Sequence, residues 1–189
     1  KHNLTTLVAT QLPIERVPAL DRTFDLIICT GVLHHLADPD AGLRALRSVL
    51  RPEGVMHLMV YAPYGRTGVY MLQEYCRRLG IGTSSRDLSE LASALKSLSR
   101  HHPLATLVAG SKDFAQPDAL ADTLLNPRDR AYSVPQLFKF IEGAGLEFRR
   151  WFRQAPYLPQ CGALAASPHK ARLTALAAPE RYAAVELWR

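Results

Sequence analysis

The chain is organised around residues 24–61, FDLIICTGVLHHLADPDAGLRALRSVLRPEGVMHLMVY. This stretch opens with the apolar run 24–30, which is rich in branched residues. Such a run predicts a strand that is covered on both faces, as in a parallel sheet. Asp38, Pro39 and Asp40 then have the pattern of a helix start, with an N-cap, a proline at the first helical position and an acid in the first turn. The sequence therefore predicts a strand followed by an amphipathic helix.

A second strand is predicted after this helix. The segment Arg51-Pro52-Glu53-Gly54 stops the helix, and Val55–Tyr61 is again apolar. Strand, crossover helix and parallel strand form a right-handed βαβ unit. Ligands of such sheets bind beyond the carboxyl ends of the strands. We therefore expect the functional site to lie near Cys29-Thr30-Gly31 and Tyr61-Ala62-Pro63.

The composition is that of an ordinary soluble protein. Of the 189 residues 48% are hydrophobic and 21% charged, and the net charge of +6 comes from scattered lysines and arginines. No aromatic-interleaved basic stripe appears, which argues against a nucleic-acid partner. The three cysteines fit neither a disulfide framework nor a zinc spacing, which predicts a cytoplasmic location, and no apolar run is long enough for a membrane span. The chain begins with Lys1 in mid-pattern, which predicts a piece of a longer protein.

The rest of the chain alternates short strand patterns with helical ones. Residues 104–116 have no clean period and are predicted to be irregular. Strands are predicted at Leu4–Thr10, Leu146–Phe152 and Gln160–Ala166. Helices are predicted at 67–79, from Ser85 or Asp87 to about Leu98, at 117–125, from Ser133 or Val134 to Gly143, and at 168–177 and 179–187.

The quoted stretch resembles class I S-adenosylmethionine-dependent methyltransferases. The matching features are Phe24-Asp25-Leu26-Ile27, Val32-Leu33-His34-His35-Leu36, Asp38-Pro39 and Pro52-Glu53-Gly54. The segment 133–146 resembles the late helix of that family, which leads into its sixth strand. The glycine-rich loop after the family's first strand and the acid that ends its second strand have no counterpart in these 189 residues. Gly80-Ile81-Gly82 follows a helix and is therefore a helix stop.

The resemblance implies an α/β fold, a Rossmann-like three-layer sandwich that lacks its first strands here. The core would comprise residues 1–61 and 133–166. Residues 62–132 would form a helical insertion or cap over the substrate, and residues 167–189 a C-terminal helical tail.

The resemblance also implies the positions that hold S-adenosylmethionine. Thr30, Gly31 and Val32 would line the cofactor pocket, and Gln11 and Leu12 fall where the family contacts the adenine. Gly31 would let the backbone approach a ligand closely. An ordinary strand-end glycine is the alternative for that position.

Histidines and aromatic residues supply the remaining candidates. His35 is a candidate catalytic residue for proton transfer, although a structural role is open as well. Because adjacent side chains on a helical turn diverge, His34 and His35 do not predict a metal site. Tyr61, Tyr64 and Arg66 occupy a usual place for substrate contacts in the family, while core packing for Tyr61 and a solvated cation for Arg66 are the alternatives.

The function implied by the resemblance is methyl transfer from S-adenosylmethionine to a small-molecule or protein acceptor. The 189 residues alone are expected to be inactive, because half of the cofactor site would be missing. Fold does not fix function, so a non-catalytic methyltransferase-like module for binding or assembly is an alternative. A dinucleotide-binding oxidoreductase is a third interpretation, which a G-x-G-x-x-G turn upstream of residue 1 would favour. The acceptor and the oligomeric state are not predicted.

Overall fold

The computed structural model describes residues 6–111, 114 and 116–188, and a parallel pair of strands lies at its centre. Strand β1 is Phe24–Thr30, helix α1 is Pro39–Ser48 and strand β2 is Leu50–Met59. β1 and β2 pair in parallel, with Ile27 opposite Met56. The predicted βαβ unit is thereby confirmed, and the described residues contain this one two-stranded sheet.

Strand β2 begins five residues before the predicted start. The amide of Phe24 donates to the carbonyl of Val49 at 2.8 Å, and Phe24 lies opposite Leu50. The register then shifts, so that Leu26 lies opposite Val55. The residues 51–54 are therefore a bulge within the strand as well as the end of the helical pattern.

Helix α1 begins as the sequence predicts. Asp38 is the N-cap, and its Oδ1 accepts from the amide of Ala41 at 2.9 Å. This bond satisfies one of the free amides at the helix start. The apolar face of the helix is buried against one face of the sheet and against a later helix. This cluster contains Cys29, Leu33, Leu43, Leu46, Tyr132, Phe140 and Ile141.

The other face of the sheet is largely open in the described part of the chain. Leu26 is 57% exposed, Ile28 63% and Val55 58%. Successive side chains of a strand point to opposite faces, so these residues lie opposite the cluster that buries Cys29. The prediction that β1 is covered on both faces is therefore wrong for the described residues.

Four helices that follow β2 in the chain pack around a core of their own. They are α2 (Thr67–Leu79), α3 (Ser85–Lys96), α4 (Ala105–Gly110) and α5 (Pro117–Leu125). We call them the helical cluster. Its buried residues are Val69, Leu72, Cys76, Leu91, Leu95, Leu104, Phe114, Leu120 and Leu124.

The prediction that residues 104–116 are irregular is wrong for Ala105–Gly110, which form helix α4. Leu104 is buried, and Leu107 packs against the same core. Gly68 permits this approach, because an added Cβ there would lie 2.6 Å from Leu107 Cδ2. The helix is thus stabilised by tertiary packing rather than by a periodic sequence pattern.

The C-terminal part contains three helices, α6 (Val134–Gly143), α7 (Lys170–Ala175) and α8 (Ala178–Glu186). The predicted entry to α6 is confirmed, since the Ser133 amide donates to Gln136 Oε1 at 2.9 Å in a capping box. Helix α8 packs on α6, and the buried Glu186 Oε2 accepts from the Val134 amide at 2.8 Å. Short 3-10 helices occupy Ile14–Leu20, Leu33–His35, Tyr64–Arg66, Ala155–Tyr157 and Gly162–Ala166.

Three strand predictions are wrong in the described residues. Residues 6–10 are not part of a sheet, while residues 4 and 5 of the predicted strand lie outside the described residues. Residues 146–152 pair with no strand, because their rings pack instead on α8: Phe148 lies 5.9 Å and Trp151 5.6 Å from the Tyr182 ring centre. The third segment, Gln160–Ala166, ends in a 3-10 helix.

The structure therefore confirms a mixed α/β fold with a parallel strand pair. The three-layer sandwich and the division into core, cap and tail remain predictions. None of the helices in the described part of the chain has the length and apolarity needed to cross a bilayer.

Candidate functional site at the strand ends

The carboxyl end of β1 is a turn around the half-buried Gly31. Gly31 has φ of +73°, a left-handed conformation that favours glycine, and its amide donates to the Met59 carbonyl at 3.1 Å. An added Cβ would meet no heavy atom nearer than Met59 Cε at 3.6 Å. Thr30 is exposed and Val32 is 40% exposed. A ligand can therefore approach this backbone closely, which fits one edge of the cofactor that the sequence predicts.

Gln11 and Leu12 lie in an irregular segment just before the 3-10 helix Ile14–Leu20. Gln11 is exposed and Leu12 is half-buried. Their assignment to the adenine therefore remains a prediction.

Three rings meet beside this turn. The 3-10 helix Leu33–His35 places the His34 ring centre 4.1 Å from that of His35 and 4.0 Å from that of Tyr61. The His35 and Tyr61 rings meet edge to face at 5.6 Å. The rings of the two histidines therefore lie close together, although adjacent side chains leave a helical turn in different directions.

A buried ion pair adjoins the rings. The Arg66 guanidinium carbon lies 3.6 Å from the centre of the Tyr61 ring, in a cation–π contact. Arg66 Nη2 lies 3.5 Å from Asp129 Oδ2, and the Asp129 side chain is only 3% exposed. Gln73 Nε2 donates to the same carboxylate oxygen at 2.8 Å. Arg66 is therefore a partly buried, paired cation rather than a solvated one.

The segment that follows α5 is held along the strand ends. The Arg130 amide donates to the His34 carbonyl at 3.1 Å, and the Tyr132 amide to the Tyr61 carbonyl at 2.8 Å. His35 Nδ1 lies 3.0 Å from the Arg128 carbonyl oxygen. Since a carbonyl oxygen only accepts, this contact assigns the proton to Nδ1 and leaves Nε2 of His35 with a free lone pair.

Burial controls the protonation of His34. Its side chain is 1% exposed, and burial lowers its pKa to about 4, with a smaller contribution from the neighbouring His35. His34 is therefore a neutral imidazole at pH 7. Burial, together with the nearby Asp129 carboxylate, raises the pKa of the Tyr70 phenol.

Polar atoms without hydrogen-bond partners among the described residues concentrate in this region. They include both ring nitrogens of His34 and Oδ1 of Asp129. Buried polar atoms in native proteins are nearly always satisfied, so such a concentration indicates a place for a polar ligand, an ion or water.

The structure brings together His35, Tyr61 and Arg66, three of the residues predicted from sequence. Tyr64 begins the 3-10 helix Tyr64–Arg66 but is 51% exposed. Sequence reasoning missed Asp129, which follows an ordinary Asn-Pro turn pattern and has no local signal of burial. The roles of the predicted residues in binding or catalysis stay predictions.

Comparisons with known proteins agree with the resemblance seen in the sequence. Residues 1–56 match a family model described as a methyltransferase domain. A protein of Synechococcus sp. (strain ATCC 27144 / PCC 6301 / SAUG 1402/1), named as uncharacterized, is 32% identical over 187 residues, which cover 94% of this chain and 44% of the relative. The chain thus spans less than half the length of this relative.

Two relatives with named activities match shorter segments. A tRNA U34 carboxymethyltransferase of Campylobacter curvus (strain 525.92) is 37% identical over 54 residues, 29% of this chain and 18% of the relative. A protein of the same name from Nautilia profundicola (strain ATCC BAA-1463 / DSM 18972 / AmH) is 44% identical over 43 residues, 23% of this chain and 14% of the relative.

The parallel strand pair, the glycine turn at its carboxyl end and these matches confirm the predicted resemblance to class I S-adenosylmethionine-dependent methyltransferases. The similarity to a methyltransferase domain covers residues 1–56.

Proposed function

We propose that this chain takes part in methyl transfer from S-adenosylmethionine to an acceptor that binds at the carboxyl ends of β1 and β2. The observation that carries the proposal is the left-handed turn at Gly31, at the end of the strand within the methyltransferase match. Ligands of parallel sheets bind at this edge, and His35, Tyr61 and Arg66 meet beside it.

The cofactor would be held by the turn at Thr30, Gly31 and Val32, with Gln11 and Leu12 as the proposed contacts to its adenine. When bound, S-adenosylmethionine supplies a methyl carbon that its sulfonium charge already activates. The residues of the chain then need to position the acceptor and exclude water, and a dedicated acid or base is optional.

His35, Tyr61, Tyr64 and Arg66 would contact the acceptor. The Arg128 carbonyl keeps the proton of His35 on Nδ1, so Nε2 is free to accept a proton from the acceptor atom. Arg66 is fixed by Asp129 and by the Tyr61 ring, which orients its guanidinium before an acceptor arrives. His35 is therefore the candidate base, and Arg66 a candidate positioning residue.

We propose a small molecule or a protein as the acceptor. Two relatives are named tRNA U34 carboxymethyltransferase, but they align with this chain over only 54 and 43 residues. Such short matches support the group-transfer fold rather than a shared acceptor.

Two glycine variants test the cofactor site. Gly31→Ala and Gly145→Ala place the same methyl group at nearly the same backbone conformation, since φ is +73° and +69°. Neither added Cβ meets an atom closer than 3.6 Å. Both variants should lose about 1 kcal/mol of stability, because alanine is strained at positive φ. Only Gly31→Ala should weaken the binding of S-adenosylhomocysteine, measured by calorimetry on protein expressed from the complete gene.

The same titration separates the alternatives. Binding by the complete product that is weakened by Gly31→Ala and kept by Gly145→Ala supports the proposal. Equal binding by both variants places the cofactor elsewhere. No binding by the complete product favours a non-catalytic module for binding or assembly. A parallel titration of the 189-residue chain tests the expectation that half of the cofactor site is missing from it.

A further inference from the structure

The structure assigns a second capacity to the strand ends: we propose that His34, His35 and Asp129 bind one divalent transition-metal ion. One ring nitrogen of each histidine and one carboxylate oxygen of Asp129 all lie within 4.8 Å of one another. Two imidazoles and a carboxylate are ligands that Zn²⁺, Co²⁺ and Fe²⁺ accept. The proposal does not depend on methyl transfer.

Each of the three ligand groups has one lone pair available to an ion. Both ring nitrogens of His34 and Oδ1 of Asp129 have no hydrogen-bond partner among the described residues, and both side chains are more than nine-tenths buried. A buried lone pair without a donor is costly, and a shared ion would satisfy one nitrogen of His34 together with Oδ1 of Asp129. A solvated surface cluster would not have this property.

The groups around the ligands are those that orient metal-binding side chains. The Arg128 carbonyl lies 3.0 Å from His35 Nδ1, so Nε2 keeps its lone pair. Asn126 Nδ2, 3.3 Å from Nδ1, is then a contact without a hydrogen bond. Gln73 Nε2 donates to Asp129 Oδ2 and leaves Oδ1 free. Histidine and carboxylate ligands of metals are commonly held by such partners.

Arg66 is the competitor for this site. Its guanidinium lies 3.5 Å from Asp129 Oδ2 and already balances the carboxylate charge. If the cluster were only a structural ion pair, removal of Arg66 would destabilise the fold and do nothing else. If it is a metal site, removal of a nearby positive charge would also strengthen binding of a divalent cation. The Arg66→Gln variant therefore separates the two interpretations.

His35 has two roles that exclude each other. As a metal ligand it no longer offers its lone pair to an acceptor proton. Any proton transfer through His35 would then occur in the metal-free protein alone, whereas binding of S-adenosylhomocysteine at Gly31 does not require the ion.

The test is a titration of the metal-depleted 189-residue chain with Co²⁺, followed by visible absorption and calorimetry. We expect saturable one-to-one binding and a visible absorption spectrum typical of Co²⁺ that is bound by nitrogen and oxygen ligands. Asp129→Asn should weaken binding by at least about tenfold. Arg66→Gln should bind more tightly than wild type, and His101→Gln, a change of an exposed histidine, should bind equally well.

Three outcomes would overturn the assignment. They are absence of stoichiometric binding by wild type, unchanged binding by a folded Asp129→Asn variant, and a thiolate-to-metal charge-transfer band that would place the ion on a cysteine. The first and third outcomes are measured on the wild-type protein. The assignment can therefore be tested even if a variant fails to fold. Zn²⁺-induced shifts of the His34 and His35 ring nitrogens in NMR spectra supply an independent readout on wild type.

Discussion

The guanidinium of Arg66 covers the ring of Tyr61 at 3.6 Å and reaches Asp129 at 3.5 Å. These two contacts join the end of the sheet to the segment that leaves the helical cluster. Arg66 and Asp129 are 63 positions apart in sequence, so the pair closes a long loop around the candidate site. Its loss should therefore affect both the fold and the site.

Arg66→Gln should lower the free energy of unfolding by about 3 kcal/mol, because the buried Asp129 carboxylate would lose its cation. The measurement is urea denaturation without added metal. Arg86→Gln is the matched control, since the Arg86–Glu90 pair is 85% and 63% exposed and should contribute less than about 1 kcal/mol. Equal effects of the two changes would show that the Arg66 pair is no stronger than a surface pair.

Leu43→Ala should destabilise the protein by about 2–5 kcal/mol, because Leu43 is 0% exposed in the core between α1 and the sheet. Leu79→Ala, a change of a 61% exposed leucine at the end of α2, should cost about 0.5 kcal/mol or less. Thermal denaturation of the two variants checks the prediction. Similar losses would contradict the assignment of Leu43 to the core.

Asp38→Ala should cost about 1 kcal/mol, because the amide of Ala41 would lose its acceptor at the start of α1. Asp38→Asn keeps a side-chain oxygen that can cap the helix and should retain most of the stability. Denaturant titrations of both variants distinguish capping from a general effect of the negative charge. A loss of stability in the asparagine variant as large as in the alanine variant would argue against the cap.

Glu186 should make stability depend on pH. Its burial raises its pKa above the usual 4.5, whereas the unfolded chain titrates near that value. Between the two pKa values the folded state holds a proton that the unfolded state has released. The contribution of Glu186 is therefore fully present below pH 4.5 and is lost as pH rises through the folded-state pKa.

Glu186→Gln removes this dependence while its amide oxygen can still accept from the Val134 amide. The stability of wild type relative to the variant should fall as pH rises from 4.5 and then level off. Denaturation over a pH series measures this difference. A relative stability that rises with pH would mean that the carboxylate is favoured by burial, contrary to the expected sign.

The features predicted correctly from sequence are those with local signals. Asp38 and Pro39 mark the start of α1, Gly80 ends α2 in a left-handed conformation, and the apolar run 24–30 is a strand. Each signal depends on residues within one or two turns. Such patterns are visible in a single sequence.

The failed predictions concern features that depend on distant partners. Residues 146–152 have the composition of a strand, but their rings pack on α8 rather than beside another strand. The short helix Ala105–Gly110 forms because Gly68 admits Leu104 and Leu107 to the helical cluster.

The candidate site shows the same limit. Tyr61 and Arg66 follow a strand end and could be proposed from their position. Asp129, which fixes Arg66, carries no local signal and reaches the site through the fold. The sequence alone likewise did not predict the approach of the His34 and His35 rings to 4.1 Å.

The most direct test of the proposed function is an NMR titration of the isotope-labelled product of the complete gene with S-adenosylhomocysteine. We predict saturable shifts of the Thr30, Gly31 and Val32 amides and none at Gly145. Binding that leaves the Thr30–Val32 amides unchanged, or no binding at all, would contradict it.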